Sequence, residues 1–337
     1  MRAYVMTGYG KVADVVRLVE RPEPVVEPDD VLCEIAGSAL NPIDLKIIEG
    51  DMKRVERYEF PQTIGFDASG TVRAVGKNVR ALKPGDAVFV RASRNTIGTF
   101  AERIALPQSF FALKPAKLSY QEAASLPLVA LTTVQGLIDR AHARAGQRIL
   151  IHAGSGGVGS FAIQFAKAKG LHVTTTTSSR NADFVRALGA DVVIAYDKQD
   201  YLSEPGAYDI VFDTLGGRYT LDAFKVTRRG GSVVSIAGPP DRDFADQIGA
   251  SLLVRTVIPF LSWRVFAASR ATGVHYYRFL TESNGAQLAE VAQLVDQGSI
   301  KPVIDQVFSF ENLKDAFARL ESGRARGKIV LKGPNPF

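Results

Sequence analysis

Cysteine is nearly missing from this 337-residue chain, which carries only Cys33. One thiol excludes an intrachain disulfide and any zinc site built on several thiolates, and a reducing, cytoplasmic setting is expected. The four histidines, His142, His152, His172 and His275, are dispersed, so no Cys–His–Cys or Cys–His–Glu ligand set can be assembled and no metal is expected. No block of like charge occurs: 41 basic and 35 acidic residues leave a net +6 spread along the chain. That excludes a basic nucleic-acid-binding tail and draws small anions only weakly. An apolar run of about 20 residues is absent too. The uncharged stretch 149–166 is interrupted by His152, Ser155, Ser160 and four glycines, and the N-terminus meets Gly8, Gly10 and Lys11 before a signal-peptide core can form. Neither nucleic acid nor membrane is therefore an expected partner.

What remains is an ordinary globular composition, 46% hydrophobic and 23% charged, in a chain long enough for two domains of about 150 residues. The first part is strand-rich: 31–35, 70–75 and 86–90 are short and β-branched, with Pro84-Gly85 and Gly98 marking turns. From Tyr120 the rhythm changes. Helices are expected at 121–127, 132–141, 158–169 and 181–188, and apolar strands at 148–153, 172–176, 192–195, 209–212 and 232–236. Apolar strands alternating with amphipathic helices predict a doubly wound parallel sheet, an α/β fold. Helices at 286–296 and 313–320 and a closing strand at 328–331 complete the pattern.

Gly154-Ser155-Gly156-Gly157-Val158-Gly159 is a G-x-G-x-x-G pattern that directly follows an apolar strand and opens an amphipathic helix. Glycine is needed there because a side chain would block the tight turn, the approach of a pyrophosphate, or helix–strand packing. Free N–H groups at the helix start then face the phosphates. A cofactor that exposes a ribose 2′-hydroxyl is usually gripped by an acid about 20 residues further on. Here that stretch reads Thr174 to Thr177, Ser178, Ser179, Arg180, with no carboxylate before Asp183. Hydroxyls and a guanidinium suit a 2′-phosphate, so NADPH is the expected dinucleotide. The G-x-S-x-G spacing of a serine nucleophile is absent.

The residues resemble the medium-chain dehydrogenase/reductase superfamily, in its zinc-free branch of quinone oxidoreductases and enone (2-alkenal) reductases. Asn41-Pro42-Ile43-Asp44-Leu45-Lys46, Gly65 to Gly70, Leu82 to Val88, Ala123 to Pro127, Leu131-Thr132-Thr133, the glycine loop, Leu188 to Asp191 and Gly327-Lys328-Ile329-Val330 come in that family's order. Zinc alcohol dehydrogenases of the superfamily carry a Cys near position 41 and Gly-His-Glu at 65–67; this chain has Asn41, Phe66 and Asp67. The tail 323–328 and the stretch 273–277 look similar to reticulon-interacting oxidoreductases and plant enone reductases. The resemblance implies a GroES-like, partly open β-barrel catalytic domain made of residues 1–121 and 284–337, and a Rossmann NADPH domain of residues 122–283. It further implies that Thr132 lies beside the nicotinamide, and that Ser155, Gly157 and Val158 contact the pyrophosphate. Ser178, Arg180 and Tyr196 would meet the 2′-phosphate, Leu215, Ile236 and Ala237 would flank the nicotinamide end, and Arg324 and Arg326 would add charge.

The expected reaction is zinc-independent and NADPH-dependent: hydride transfer to a quinone or to the C=C of an α,β-unsaturated ketone or aldehyde. Without a Lewis acid the acceptor must be activated by its own conjugation. Asn41 is the first candidate donor to its carbonyl oxygen, with Asp44 and Lys46 as a network that orients Asn41 or relays a proton; Tyr58 or water is an alternative acid. A second reading, an NADPH-binding redox-sensing or interaction module without turnover, stays open, as does the choice between monomer and homodimer.

Overall fold

The computed structural model describes residues 1–53, 55–203 and 205–334. Two compact units emerge: Met1–Leu131 with Glu282–Gly298 and Pro302–Phe337, and Thr132–Thr281 with Ser299–Lys301. In chain order, strands β1 (Arg2–Met6), β2 (Val16–Glu20), β3 (Asp30–Leu40), β4 (Gln62–Thr63), β5 (Asp67–Val75), β6 (Ala87–Arg91), β7 (Arg103–Pro107) and β8 (Phe111–Leu113) build the first unit. The second unit holds β9 (Arg148–Ile151), β10 (His172–Thr177), β11 (Val192–Ala195), β12 (Tyr208–Asp213), β13 (Thr227–Ser235) and β14 (His275–Arg278). The chain then returns to the first with β15 (Ile304–Phe308) and β16 (Lys328–Lys332).

In the first unit a seven-stranded sheet runs β15-β16-β3-β5-β6-β8, with β7 on β3, beside a three-stranded sheet β2-β1-β4. Two apolar clusters fill it. One joins Ile48, Phe66, Phe100, Phe317 and Leu331, the other Val31, Cys33, Ile35, Val72, Val88 and Leu106. Burial pushes the Cys33 thiol up, so this side chain packs as an inert apolar group. Register matters most at one corner: Ile329 pairs with Leu40 and Ala39 with Asp67. The residues just outside those pairs, Lys328 and Asn41, are thereby brought to Asp67.

The second unit is a six-stranded, fully parallel sheet in the order β11-β10-β9-β12-β13-β14. The crossover between β9 and β12 is the switch point where ligands bind in doubly wound sheets. Ile149, Leu150, Ile151, Val173, Val211, Phe212 and Val233 are fully buried, as strands covered on both faces require.

Sequence and structure differ at the entry to this unit. Helices occupy Tyr120–Ala124 and Pro127–Val134, followed by a wider π-type coil at Gln135–Arg140. Pro127 opens a helix instead of closing one, because its missing N–H costs nothing in a first turn. The break between units falls at Leu131/Thr132 and Thr281/Glu282, not at 121/122 and 283/284. Residues 120–128 are tied to the first unit by the Thr71–Tyr120 hydroxyl pair (2.8 Å), by Gln121 Nε2 to the Ala36 carbonyl (3.2 Å) and by the Leu128 N–H to Asp67 (2.9 Å). Between β13 and β14 lie helices Arg242–Gln247, Leu252–Leu261 and Trp263–Thr272. Among the described residues no single helix is long and apolar enough to cross a membrane.

Candidate active site

At the C-terminal end of β9 the chain turns through Ala153, a non-glycine residue at φ 52°, into the helix Gly157–Ala168. A side chain at Gly154 would place its Cβ 2.1 Å from Thr175 Oγ1, and one at Gly159 2.3 Å from the Ala153 carbonyl oxygen. Those two glycines close the turn. At Gly156 the nearest atom to such a Cβ is 3.4 Å away, so the fold itself does not demand glycine and the bare backbone leaves a cradle open. Among the described residues no side chain caps the helix. The N–H groups of Gly157, Val158 and Gly159 are therefore the ones a helix leaves without internal partners, pointing where an anion binds. Ser155 Oγ accepts from Thr177 Oγ1 and from Asn181 Nδ2, both at 3.1 Å; its own O–H remains to donate. These features fit the pyrophosphate of a dinucleotide.

Beyond β10, Ser178 precedes a single turn at Ser179–Asn181. Arg180 is exposed, and its guanidinium makes no hydrogen bond or ion pair among the described residues. Tyr196 is exposed and anchored through its N–H to the Thr177 carbonyl at 3.0 Å. The structure adds a residue that the linear reading missed. Asp197 accepts from the Ser179 N–H (2.8 Å) and hydroxyl (2.6 Å), and these bonds hold its carboxyl below the ordinary range. The signal lay in strand register: Thr177 pairs with Ala195, so Ser179 and Asp197 sit at equal offsets past two parallel strand ends.

A second missed residue, Asp213, orders the ends of β12 and β13. Fully buried, it accepts from Thr220 Oγ1 (2.5 Å), Ser235 Oγ (2.8 Å) and the N–H groups of Leu215 (3.0 Å) and Gly216 (2.9 Å). Burial works to raise this carboxyl; the His152 ring at 3.4 Å and these donors outweigh it and bring it down to about 2. Ser235 Oγ in turn receives the N–H groups of Ala237 and Gly238. Leu215, Ile236 and Ala237 are thus held partly exposed at adjacent strand ends. Thr132 is buried and shares a 2.8 Å hydrogen bond with Thr281.

The first unit gathers a buried polar cluster. Asn41 Nδ2 donates to Asp67 Oδ2 (3.0 Å) and to the Ala39 carbonyl (3.3 Å), while its Oδ1 accepts from Lys328 Nζ. Lys328 also reaches Asp67 at 3.2 Å. Asp44 Oδ2 receives the Asn41 N–H at 2.7 Å, closing one half of a capping box at the helix Pro42–Glu49; its Oδ1 has no partner among the described residues. Arg91 lies 5.0 Å from the Phe66 ring centre and donates to Ser283 Oγ at 3.2 Å, and its Nε has no partner among the described residues. Burial lowers its guanidinium to about 10. Burial likewise pushes Asp67 up from its ordinary value, opposed by Lys328 and Asn41.

Two expectations change here. Lys46 is exposed on the outer side of its helix and takes no part in the cluster. Lys46 was expected in one network with Asp44, but positions 44 and 46 of a helix diverge by about 200°; the cation in the cluster is Lys328. Asn41 uses both amide hydrogens on Asp67 and Ala39, so as it stands it positions Asp67 and Lys328 and has none left for a substrate oxygen. Tyr58 donates its hydroxyl to the Arg94 carbonyl at 3.0 Å, and burial pushes its phenol up. Arg324 and Arg326 are exposed, with the Arg326 N–H on Asp305 at 2.9 Å.

Asp44 carries a pH prediction. Burial raises its carboxyl to about 8, with the Asn41 N–H the main opposing effect. The folded chain therefore holds this proton more tightly than the unfolded one. The Asp44 contribution is fully present below about pH 4 and is lost as pH rises through about 8, with a slope of at most about 1.4 kcal/mol per pH unit. Asp44→Asn should flatten urea-unfolding stability across that window; parallel profiles for variant and wild type would refute the assignment.

Known families match stretches of both units. Residues 27–116 match the family described as alcohol dehydrogenase GroES-like domain, and residues 188–331 the one described as zinc-binding dehydrogenase. The chain is 35% identical over 345 residues to a 2-methylene-furan-3-one reductase of Solanum lycopersicum, covering 98% of this chain and 79% of that protein. The chain belongs to the medium-chain dehydrogenase/reductase superfamily. A second member of the superfamily, an Arabidopsis thaliana NADPH-dependent alkenal/one oxidoreductase of the chloroplast, is 34% identical with the same coverage. Among solved structures, a quinone oxidoreductase from Coxiella burnetii superposes with a TM-score of 0.84 at 31% identity, covering 98% of this chain and 99% of that one. The superfamily's GroES-like fold accounts for the first unit and its Rossmann fold for the second.

Proposed function

We propose that the chain is an NADPH-dependent oxidoreductase acting on an electron-poor conjugated carbonyl compound, either the C=C of an α,β-unsaturated ketone or aldehyde, or a quinone. The observation that carries the reading is the glycine loop, uncapped among the described residues, joined to a second strand end that offers Ser178 and an Arg180 unpaired among the described residues, with the neighbouring Asp197 carboxylate engaged by Ser179. The names of the relatives, an alkenal/one oxidoreductase, a furanone reductase and a quinone oxidoreductase, support the acceptor class.

When bound, NADPH supplies a hydride. The N–H groups of Gly157, Val158 and Gly159 and the Ser155 hydroxyl bind the pyrophosphate. Ser178, Arg180 and Tyr196 bind the 2′-phosphate region, with Ser179 fixed by Asp197. Leu215, Ile236 and Ala237, ordered through Asp213, exclude water at the nicotinamide end, near Thr132. In the first unit Asp44, raised to about 8, keeps its proton at neutral pH beside Asn41. Zinc is not part of the proposed reaction: among the described residues no three His, Cys, Asp or Glu side chains converge as a ligand set.

Arg180→Ala tests the cofactor reading. Removing charge-assisted bonds worth about 1.5–3 kcal/mol should weaken NADPH binding roughly ten- to a hundredfold and leave NADH binding within about twofold. Unchanged NADPH affinity would refute the 2′-phosphate assignment. The acceptor class is read by following NADPH absorbance with a panel of enones, enals and quinones. An enone should yield its saturated ketone; no consumption with any member would return the chain to a nucleotide-binding module.

A further inference from the structure

Arg91 is the last residue of β6 and only 4% exposed. Strand pairing sets it directly opposite Asp67, where opposite charges can meet. Asp67 instead accepts from Asn41 Nδ2, the Leu128 N–H and Lys328 Nζ. Among the described residues the Arg91 guanidinium has one side-chain hydrogen bond, from Nη1 to Ser283 Oγ at 3.2 Å, and one ring face, Phe66, and its Nε–H has no acceptor. Counting charge around it sharpens the anomaly. Lys328 and Asp67 neutralise each other, and Asp44, raised to about 8 by burial, is uncharged at neutral pH. Arg94 is a second cation, paired with Glu56 at 3.5 Å. Glu282, the remaining carboxylate that acts on Arg91, is exposed, where solvent screens it. Burial lowers the guanidinium to about 10, which leaves it charged at neutral pH. A desolvated cation without a counter-ion is costly unless a ligand supplies the negative charge. Ser283 is half-buried, so the guanidinium lies one side chain beneath the surface.

We propose that Arg91 is the oxyanion donor for the electron acceptor: its Nε–H hydrogen-bonds the carbonyl oxygen of a conjugated ketone, aldehyde or quinone and carries the charge that collects there on reduction. This rests on the reading of the chain as an NADPH-dependent reductase and names the residue that recognises its acceptor. Hydride from the reduced nicotinamide forms a C–H bond at the β-carbon of an enone, the C=C pair shifts toward the carbonyl carbon, and the C=O pair moves onto oxygen. The products of that step are an enolate and the oxidised nucleotide. Water then protonates the α-carbon and the carbonyl re-forms. A quinone takes up the same hydride and leaves a hydroquinone monoanion, which water protonates. In both cases one negative charge appears on an oxygen, and a preorganised, desolvated donor is worth most there. Asn41, the expected donor, has its amide hydrogens on Asp67 and Ala39; Arg91 faces the same carboxylate with a donor unengaged.

Arg91→Met is the test, because methionine fills much of the arginine stem without its charge. A guanidinium that served the fold would lower the melting temperature when removed. One held without a counter-ion should not, so Arg91→Met is expected to melt no more than about 3 °C below wild type. 4-Nitrophenol, a planar phenol whose anion absorbs visible light, stands in for the enolate. With the full chain and no nucleotide present, its ionisation should move down by about one to three pH units on binding to wild type. Arg91→Met should abolish that change and Arg91→Lys, which keeps the charge, should retain part of it. In turnover with enones, Arg91→Met should lower kcat/KM for the acceptor about a hundredfold or more, with NADPH affinity within about twofold of wild type. If wild type reduces enones and Arg91→Met does so equally well, the proposal is overturned and the reductase reading stands. If wild type consumes no NADPH, the reductase reading fails, and the nitrophenol titration alone decides whether Arg91 holds an oxyanion. A nitrophenol ionisation unmoved by wild type, or an Arg91→Met chain that melts far below it, overturns the proposal and assigns the guanidinium to the fold.

Discussion

Lys328→Met is expected to destabilise the chain by about 3–5 kcal/mol, the cost of breaking a buried ion pair by removing one partner. Asp67 has no exposed surface, and its neighbours are Asn41 Nδ2 at 3.0 Å, the Leu128 N–H at 2.9 Å and Lys328 Nζ at 3.2 Å. Without the ammonium the carboxyl must either stay ionised with only neutral hydrogen-bond donors in contact or take up a proton, and both cost free energy. The midpoint temperature should fall by roughly 10 °C, read by circular dichroism. Lys328→Met combined with Asp67→Asn should recover most of the loss, because the double variant leaves no charge behind. Lys46→Ala is the control. Its side chain is exposed, so an effect within about 0.5 kcal/mol is expected. A Lys328→Met chain as stable as wild type, or a double variant no better than the single, would show that the pair is not coupled.

That cluster also marks where reading the sequence reached its limit. Alternating strands and helices after Tyr120 and the loop at Gly154–Gly159 were legible because their causes are local: strand and helix periodicity, and close backbone approach. Lys328 and Asn41 are 287 positions apart, and they meet because β16 inserts between β15 and β3 in one particular register. No local pattern encodes that pairing; only the family resemblance joined the two chain ends. Asp197 and Asp213 were missed for a milder reason. Each sits at or just past a parallel strand end, so equal counting beyond paired strands reaches Asp197 once the strand order is known. Asp213 lies one position past the expected strand 209–212, and nothing local marks it; its role comes from Thr220, Ser235 and two loop N–H groups that converge on it.

The glycine loop yields a prediction that separates a residue the fold needs from one a ligand needs. In Gly159→Ala the new methyl would stand 2.3 Å from the Ala153 carbonyl oxygen and 2.7 Å from Gly154 Cα. Both are backbone atoms and cannot rotate away, so the first turn of the helix Gly157–Ala168 must lift from the end of β9. Overpacking of this kind costs about 1–3 kcal/mol. The same shift displaces the N–H groups aimed at the pyrophosphate, so dinucleotide affinity should fall at least tenfold as well. Gly156→Ala is different. Its φ of −79° is one that alanine adopts readily, and the nearest atom, at 3.4 Å, is at ordinary contact distance, so stability should stay within about 1 kcal/mol of wild type. The methyl nevertheless enters the cradle that the pyrophosphate would occupy, and NADPH binding should drop while the melting curve does not move. Calorimetric titration beside thermal melting reads the two quantities apart. If Gly156→Ala binds NADPH as the wild type does, the phosphates do not lie against this turn, and the cofactor assignment built on it fails even though the fold stands.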